Sequence, residues 1–372
     1  MLLAPDKFKS SLSAAEVAAR LSAGLVRAGF AGQIVSVPVA DGGDGTVDAA
    51  VAAGFARVGV SVTGPTGRPV TASYALRDGV AVIEAAQACG LALLPAGQFA
   101  ALTATTRGVG ELIRAAVDRG ARRIVLGVGG SATTDGGAGL LQALGARLTD
   151  ADGRELPPGG AVLSRLAAVD LSGLADLTSV AFQLASDVDN PLLGPSGAAE
   201  VYAPQKGASP REVTELEAGL SRWADVAEAA AARCATRDAA GAGAAGGLGF
   251  AAMLFLGARM RPGIDLLLEL ASFDARLDGA GLVITGEGAL DEQTLRGKAP
   301  LGVVRAAAAH DPGLPVIAVS GRRTLTADQL RGAGIAAAYA LTDIEPDVAR
   351  CIAKAGPLLE QLAERIAADW LG

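Results

Sequence analysis

The sequence predicts an α/β protein of two domains: a doubly wound parallel sheet formed by both chain ends, and a second α/β domain inserted between them. Three observations lead there. The chain has 372 residues, enough for two or three domains at roughly 100–200 residues each. Both ends alternate short apolar runs with amphipathic stretches, as strand–helix–strand units do. The middle departs from that alternation, which sets the expected boundaries at 1–65 with 280–372 for one domain and 66–279 for the insertion. Ligands of such folds collect at the carboxyl ends of strands, so the cleft between the two domains is the expected site.

The elements follow in order. A strand is expected over 1–4, a helix capped by Ser13 over 14–28 and a strand over 34–38. The glycine turn ADGGDGT at 40–46 then leads into a helix over 47–53. Alternating strands are expected over 57–63 and 69–76, a further strand over 80–83, a helix over 106–118 and a strand over 123–126. A glycine loop opens a helix over 137–144, a long proline-punctuated stretch follows, and a helix is expected over 210–233. Regular alternation then returns, with strands over 282–285, 316–319 and 336–341 and helices over 300–309, 327–332 and 346–368.

Composition narrows the function. Hydrophobic residues make up 51% and charged ones 19%, so the chain is no charge-driven disordered segment. Its 32 basic and 39 acidic residues give a net charge of −7, and no basic stretch is interleaved with aromatics, which argues against nucleic acid as a partner. One histidine, His310, excludes a histidine-rich zinc site and most histidine-based triads. Cys89, Cys234 and Cys351 are widely spaced and odd in number, as free thiols of a reducing compartment are, and all three are expected to pack as small core residues. The apolar start is too short for a signal peptide, and the uncharged run at 239–258 is broken by GAGAAGGLG, so no membrane span is expected and the expected location is the cytoplasm.

The segments that could carry chemistry are turns. In RRIVLGVGGSATTDGGAGLLQALG, Gly127, Gly129 and Gly130 let backbone N–H groups approach an anion. Ser131, Thr133 and Thr134 add hydroxyls there, and Gly136 and Gly137 open a helix. A tight strand-to-helix turn would need the same glycines, and the loop is neither a Walker A sequence nor a dinucleotide fingerprint. A literal GxGxxG at Gly241, Gly243 and Gly246 follows a helical stretch instead of a strand, which argues against a dinucleotide role. Only five of the basic residues are lysines, and four of them, Lys7, Lys9, Lys206 and Lys298, lie beside proline or glycine in turns. Such positions suit a compact charge aimed at phosphate. Asp41, Asp44, Asp135, Asp187, Asp189, Glu287 and Asp291 also sit in turns, where each could simply shape the backbone; together with lysines and glycine loops they suit magnesium–phosphate chemistry.

Taken in order, APDKFKSSLSA, VADGGDGT, GGSATTDGGAGLLQALGA, SDVDNPLLGPSGAAEVYAPQKGA, GAAGGLGF and ITGEGALDEQTLRGKAP closely resemble the bacterial type I glycerate kinases, from the first strand through Pro300. The resemblance implies ATP-dependent phosphorylation of D-glycerate to 2-phosphoglycerate, with Mg²⁺ accompanying ATP, and a flavodoxin-like domain. It also implies roles. Asp187, preferred over Asp189, would position or deprotonate the attacking hydroxyl, with Lys206 and Lys298 neutralising charge on the transferred group. Gly129, Gly130, Ser131, Thr133 and Asp135 would bind the phosphates of ATP. Lys9, preferred over Lys7, would bind glycerate with Ser10, Asp41 and Arg296, and Glu287 and Asp291 would hold Mg²⁺. A homodimer is an open expectation. Two other readings stand beside this one: a kinase for another small hydroxy acid, and a non-catalytic sensor of a phosphorylated acid.

Overall fold

The computed structural model describes residues 1–371, the side chain of Arg296 excepted. The chain divides into two compact units, one made of 1–41, 48–54 and 264–372, the other of 42–47 and 55–263.

The first unit is a five-stranded parallel sheet. Its strands run in the order Ala337–Ala340, Val316–Arg323, Val283–Leu290, Leu2–Pro5, Val35–Ser36. Numbered along the unit this is 2-1-3-4-5, the flavodoxin-like order, and its direction reverses between Leu2–Pro5 and Val283–Leu290. One buried cluster lies around Leu2, Val283, Val303 and Val316, and another around Leu3, Leu21, Ile284 and Leu359, as a sheet covered on both sides requires. The helix Ala14–Arg27 starts at a capping box in which the Ser13 hydroxyl accepts from Glu16 N–H. It packs on the helix Ala355–Trp370 at a spacing that only glycine permits, since a Cβ at Gly24 would come within 2.3 Å of the Glu360 carbonyl oxygen. Arg20 and Arg27 pair with Glu360 at 2.7 and 2.5 Å along the same seam.

The second unit holds a six-stranded mixed sheet in the order Arg259–Arg261, Ala181–Ala185, Arg123–Gly127, Val80–Glu84, Pro69–Arg77, Ala56–Thr63. The first four strands are parallel neighbours, and the last two join through antiparallel pairing. Helices Arg107–Asp118, Ala138–Leu144, Pro210–Ala230 and Ala244–Leu256 bury an apolar core in which Trp223 is fully enclosed beside Phe250 and Phe255.

Two differences from the sequence reading have physical causes. The division falls at 54/55 and 263/264 because Ala56–Thr63 pairs along its whole length with Pro69–Arg77, while Ile264 is buried in the first unit's core. Cys89 and Cys351 are buried as expected, but Cys234 is exposed, in the turn after the helix that ends at Ala230. Among the described residues, no helix is long and apolar enough to cross a membrane.

Candidate active site

In the second unit the chemistry gathers at the carboxyl end of the parallel strands. Glu84, Gly127 and Ala185 are register partners on three adjacent strands, so Gly129 and Asp187, each two residues further on, leave the sheet at the same end. The glycines there answer to close backbone approach. A Cβ at Gly127 would lie 2.5 Å from the Gly42 carbonyl oxygen, and one at Gly129 would lie 2.6 Å from Gly43 Cα. The ADGGDGT turn therefore rests directly on the GVGGS loop, with Gly129 N–H donating to Gly42 C=O at 3.4 Å. Glu84, a residue sequence reasoning missed, fixes that turn from beneath: its buried carboxylate accepts from Gly45 N–H at 3.1 Å and Val47 N–H at 3.2 Å. A lone carboxylate ending an apolar strand was the available signal.

The loop is backed by charge. Lys206 comes from the short turn Pro204–Lys206 and is 2% exposed; its Nζ donates to the Thr133 carbonyl at 2.5 Å and to Ser131 Oγ at 3.2 Å. Burial pushes its pKa down to about 8, against the pull of Cys89 and Asp135. Asp135 has no exposed surface. It accepts from Thr106 N–H at 2.8 Å, Thr106 Oγ1 at 2.9 Å, Gly137 N–H at 3.2 Å and Gly139 N–H at 3.3 Å. Burial raises its pKa while those donors oppose the rise. Of the expected phosphate-binding set, Gly129 and Gly130 present surface and Ser131 a little, whereas Thr133 and Asp135 lie wholly behind the loop. Asp187 is exposed, and its Oδ1 accepts from Gly263 N–H at 3.2 Å; Asp189 is exposed as well.

The first unit carries its own cluster, at the point where its strand order reverses. Asp6 follows Leu2–Pro5 directly, with its N–H donating to Gly286 C=O at 2.8 Å and its Oδ1 accepting from Lys7 N–H at 2.7 Å. Burial first, then the charges of Asp41 and Glu287, push its pKa up to about 8. Sequence reasoning missed Asp6 as well, although its place right after the first strand marked it. Glu287 accepts from Thr294 Oγ1 at 2.5 Å and faces Lys298 Nζ at 3.9 Å; burial raises its pKa to about 7, with Thr294 and Lys298 opposing. Asp291 Oδ1 accepts from Gln293 N–H at 2.9 Å and so shapes a turn. Lys9 and Ser10 are exposed, Ser10 at a positive φ of 66°, and Gly288 leaves room for this segment, since a Cβ there would sit 3.1 Å from Lys9 N. The Arg296 side chain lies outside the described residues.

One unit is a doubly wound sheet with carboxylates at its switch point, and the other is a sheet with glycine loops and a buried lysine at one strand end, an α/β arrangement suited to a phosphorylated ligand. Comparison with known proteins makes this specific. The model of the glycerate kinase family matches residues 1–371. A Bacillus subtilis glycerate kinase is 45% identical over 99% of this chain and 97% of its own length, and an Escherichia coli glycerate 2-kinase is 44% identical over 92% and 90%. A crystal structure assigned as glycerate kinase 2 from Salmonella typhimurium LT2 superposes with a TM-score of 0.84 at 41% identity, covering 99% of this chain and 97% of that one. The chain belongs to the glycerate kinase family.

Proposed function

We propose that this protein transfers the γ-phosphoryl group of ATP to the 2-hydroxyl of D-glycerate, giving 2-phosphoglycerate and ADP. One observation carries the reading beyond family membership: Gly129 and Asp187 leave the same end of adjacent parallel strands, so an anion cradle and an accessible carboxylate stand side by side. Backbone N–H groups of Gly130 and Ser131 hold phosphate oxygens, joined by Gly129 N–H when it leaves its long 3.4 Å bond to the Gly42 carbonyl. Lys206, behind the loop, fixes its shape and adds positive potential through the Thr133 carbonyl and the Ser131 hydroxyl. Asp187 orients the glycerate hydroxyl and takes its proton as the oxygen attacks phosphorus.

Lys9, Ser10, Asp41 and Arg296 are assigned to glycerate, and Lys298 to the transferred group. Mg²⁺ reaches such sites with the nucleotide, is held chiefly by phosphate oxygens and takes one or two carboxylates from the protein. Among the described residues no group of three or more His, Cys, Asp or Glu gathers as a metal cage. Glu287 and Asp291 are assigned to the ion, Glu287 by giving up its Thr294 or Lys298 partner. When bound, the ion supplies charge neutralisation on the phosphates.

The test is ATP-dependent turnover of D-glycerate, with the product divided between a coupled assay containing enolase alone and one containing phosphoglycerate mutase as well. Signal with enolase alone is the expected result. Signal only with mutase overturns the 2-hydroxyl assignment, and no ADP overturns the acceptor. For Asp187→Asn, kcat should fall about 10²–10⁴-fold with KM for ATP little changed; an unaltered kcat removes Asp187 from the chemistry.

A further inference from the structure

A nucleotide needs a surface for its base as well as a cradle for its phosphates, and the site as built so far contains no apolar platform. One loop of the second unit has the right place and character. It begins at the cradle: Leu91 N–H donates to Gly130 C=O at 3.0 Å, Ala132 N–H donates to Cys89 C=O at 2.7 Å, and Gly90 bridges Ser131. It ends at Phe99, whose ring lies against Gly207, the residue after the Lys206 whose side chain reaches Ser131 Oγ and the Thr133 carbonyl behind the cradle. A Cβ at Gly207 would come within 2.4 Å of Phe99 Cβ and Cγ, and Gly207 has a φ of +90°, so only glycine serves there.

The loop between these two anchors is apolar and open to solvent. Leu93 is 38% exposed and Phe99 is 61% exposed. Phe99 is the only aromatic side chain among the exposed large hydrophobics of the described residues. Surfaces that take the base of a nucleotide are lined in this way, because every base offers a π-face and stacking needs no hydrogen-bond code. One side of the ring packs against Gly207, and the ring is not part of the buried core, so most of it stays open to a ligand.

We infer that the loop over 90–101, with Phe99 as its flat element and Leu93 beside it, is the platform on which the adenine of ATP rests while its phosphates lie in the Gly129–Ser131 cradle. The inference deepens the kinase reading and rests on it. Phe99 is a binding residue: it touches the nucleotide and not the reacting atoms.

The experiment compares equilibrium binding of ADP and of inorganic tripolyphosphate to the full-length protein and to Phe99→Ala and Phe99→Trp, alongside steady-state kinetics. For Phe99→Ala, ADP binding and KM for ATP should weaken about 5- to 150-fold, the range that losing one base–aromatic stack brings, while tripolyphosphate binding, KM for glycerate and Tm stay unchanged. Phe99→Trp should restore ADP binding and report it by a change in indole emission. Unchanged ADP affinity in Phe99→Ala overturns the platform and leaves the kinase reading intact. Equal weakening of ADP and tripolyphosphate also overturns it, because the loop would then act through the cradle. A wild-type protein that binds neither ADP nor tripolyphosphate overturns both.

Discussion

Replacing Lys206 with Met should nearly preserve stability at neutral pH, change its pH dependence and remove most of the activity. Burial lowers the Lys206 pKa from 10.5 to about 8, which at 1.36 kcal/mol per unit is a disadvantage of about 3 kcal/mol for the ammonium in the folded state. Below pH 8 both folded and unfolded chains hold the proton and the folded state carries the whole penalty. Between pH 8 and 10.5 the unfolded chain keeps a proton that the folded chain has released, so stability rises with pH across that window. Met has nothing to titrate. The unfolding free energy of wild type minus that of Lys206→Met should therefore climb by about 3 kcal/mol across the window. At pH 7 the relief of a buried charge opposes the loss of the donors to Thr133 C=O and Ser131 Oγ, worth about 1–3 kcal/mol each, so the two proteins should differ by about 2 kcal/mol or less. Urea unfolding at intervals from pH 7 to 10.5 measures the slope, and subtracting the variant removes every other titrating group. Turnover at pH 7 should drop about 10²–10³-fold, as when a preorganised donor is lost at a phosphate site. Parallel pH curves for the two proteins would falsify the argument.

Asp135→Asn places an amide N–H₂ against donors that now point at a carboxylate, so one or more of Thr106 N–H, Gly137 N–H and Gly139 N–H loses its acceptor; the expected loss is about 2–3 kcal/mol, read as a lower Tm. Gly246→Ala would bring a Cβ within 2.0 Å of the Thr133 carbonyl oxygen at a φ of +68°, and should cost about 2 kcal/mol or more and raise KM for ATP. Gly59→Ala, where a Cβ would meet nothing within 4 Å, is its control and should change neither. For Asp6, the folded pKa of about 8 stands above the unfolded 3.8, so the folded state retains a proton that the unfolded chain gives up, and stability falls as pH rises from about 4 to 8. Asp6→Asn should therefore gain Tm relative to wild type on going from pH 5 to pH 8; a constant difference would show that Asp6 ionises normally.

Much of the first unit is legible in the sequence because its signals are local. The apolar run at 316–319 lies inside Val316–Arg323, and the Ser13–Glu16 pair announces the start of Ala14–Arg27. The second unit is harder to read where its structure depends on distant pairing. Ala56–Thr63 looks like the end of the first domain until its eight-residue register with Pro69–Arg77 is known. Ala181–Ala185 is five residues in a proline- and glycine-rich stretch, and its strand character comes from the flanking strands Arg123–Gly127 and Arg259–Arg261. The same split runs through the site. The glycines of the cradle and the isolated lysines are visible as types in a row, whereas the burial of Lys206 and Asp135 is a property of packing that no spacing encodes.

The GAGAAGGLG stretch shows why a glycine motif cannot be assigned from spacing alone. Its literal GxGxxG follows a helical stretch, and apart from Gly241, which faces the Met260 side chain, its glycines face other backbone. A Cβ at Gly243 would meet the Pro191 carbonyl oxygen at 2.3 Å, one at Gly246 the Thr133 carbonyl oxygen at 2.0 Å, and one at Gly247 the Gly136 Cα at 2.8 Å. Ala245, Gly246 and Gly247 all have positive φ inside what is otherwise the helix Ala244–Leu256, and for Ala245, at +53°, that conformation costs about 1–2 kcal/mol. The strain is offset where Gly136 N–H donates to the Gly246 carbonyl at 3.0 Å, while Trp223 Nε1–H donates to the Gly136 carbonyl at 2.9 Å from the other side. The left-handed turn and the buried indole thus hold Gly136, one residue after Asp135 and three after the Thr133 carbonyl that takes the Lys206 ammonium. A motif that looks like a nucleotide fingerprint in the wrong place serves instead to set the backbone of the loop assigned to the nucleotide's phosphates. That is why removing a glycine here is expected to reach KM for ATP without touching the nucleotide.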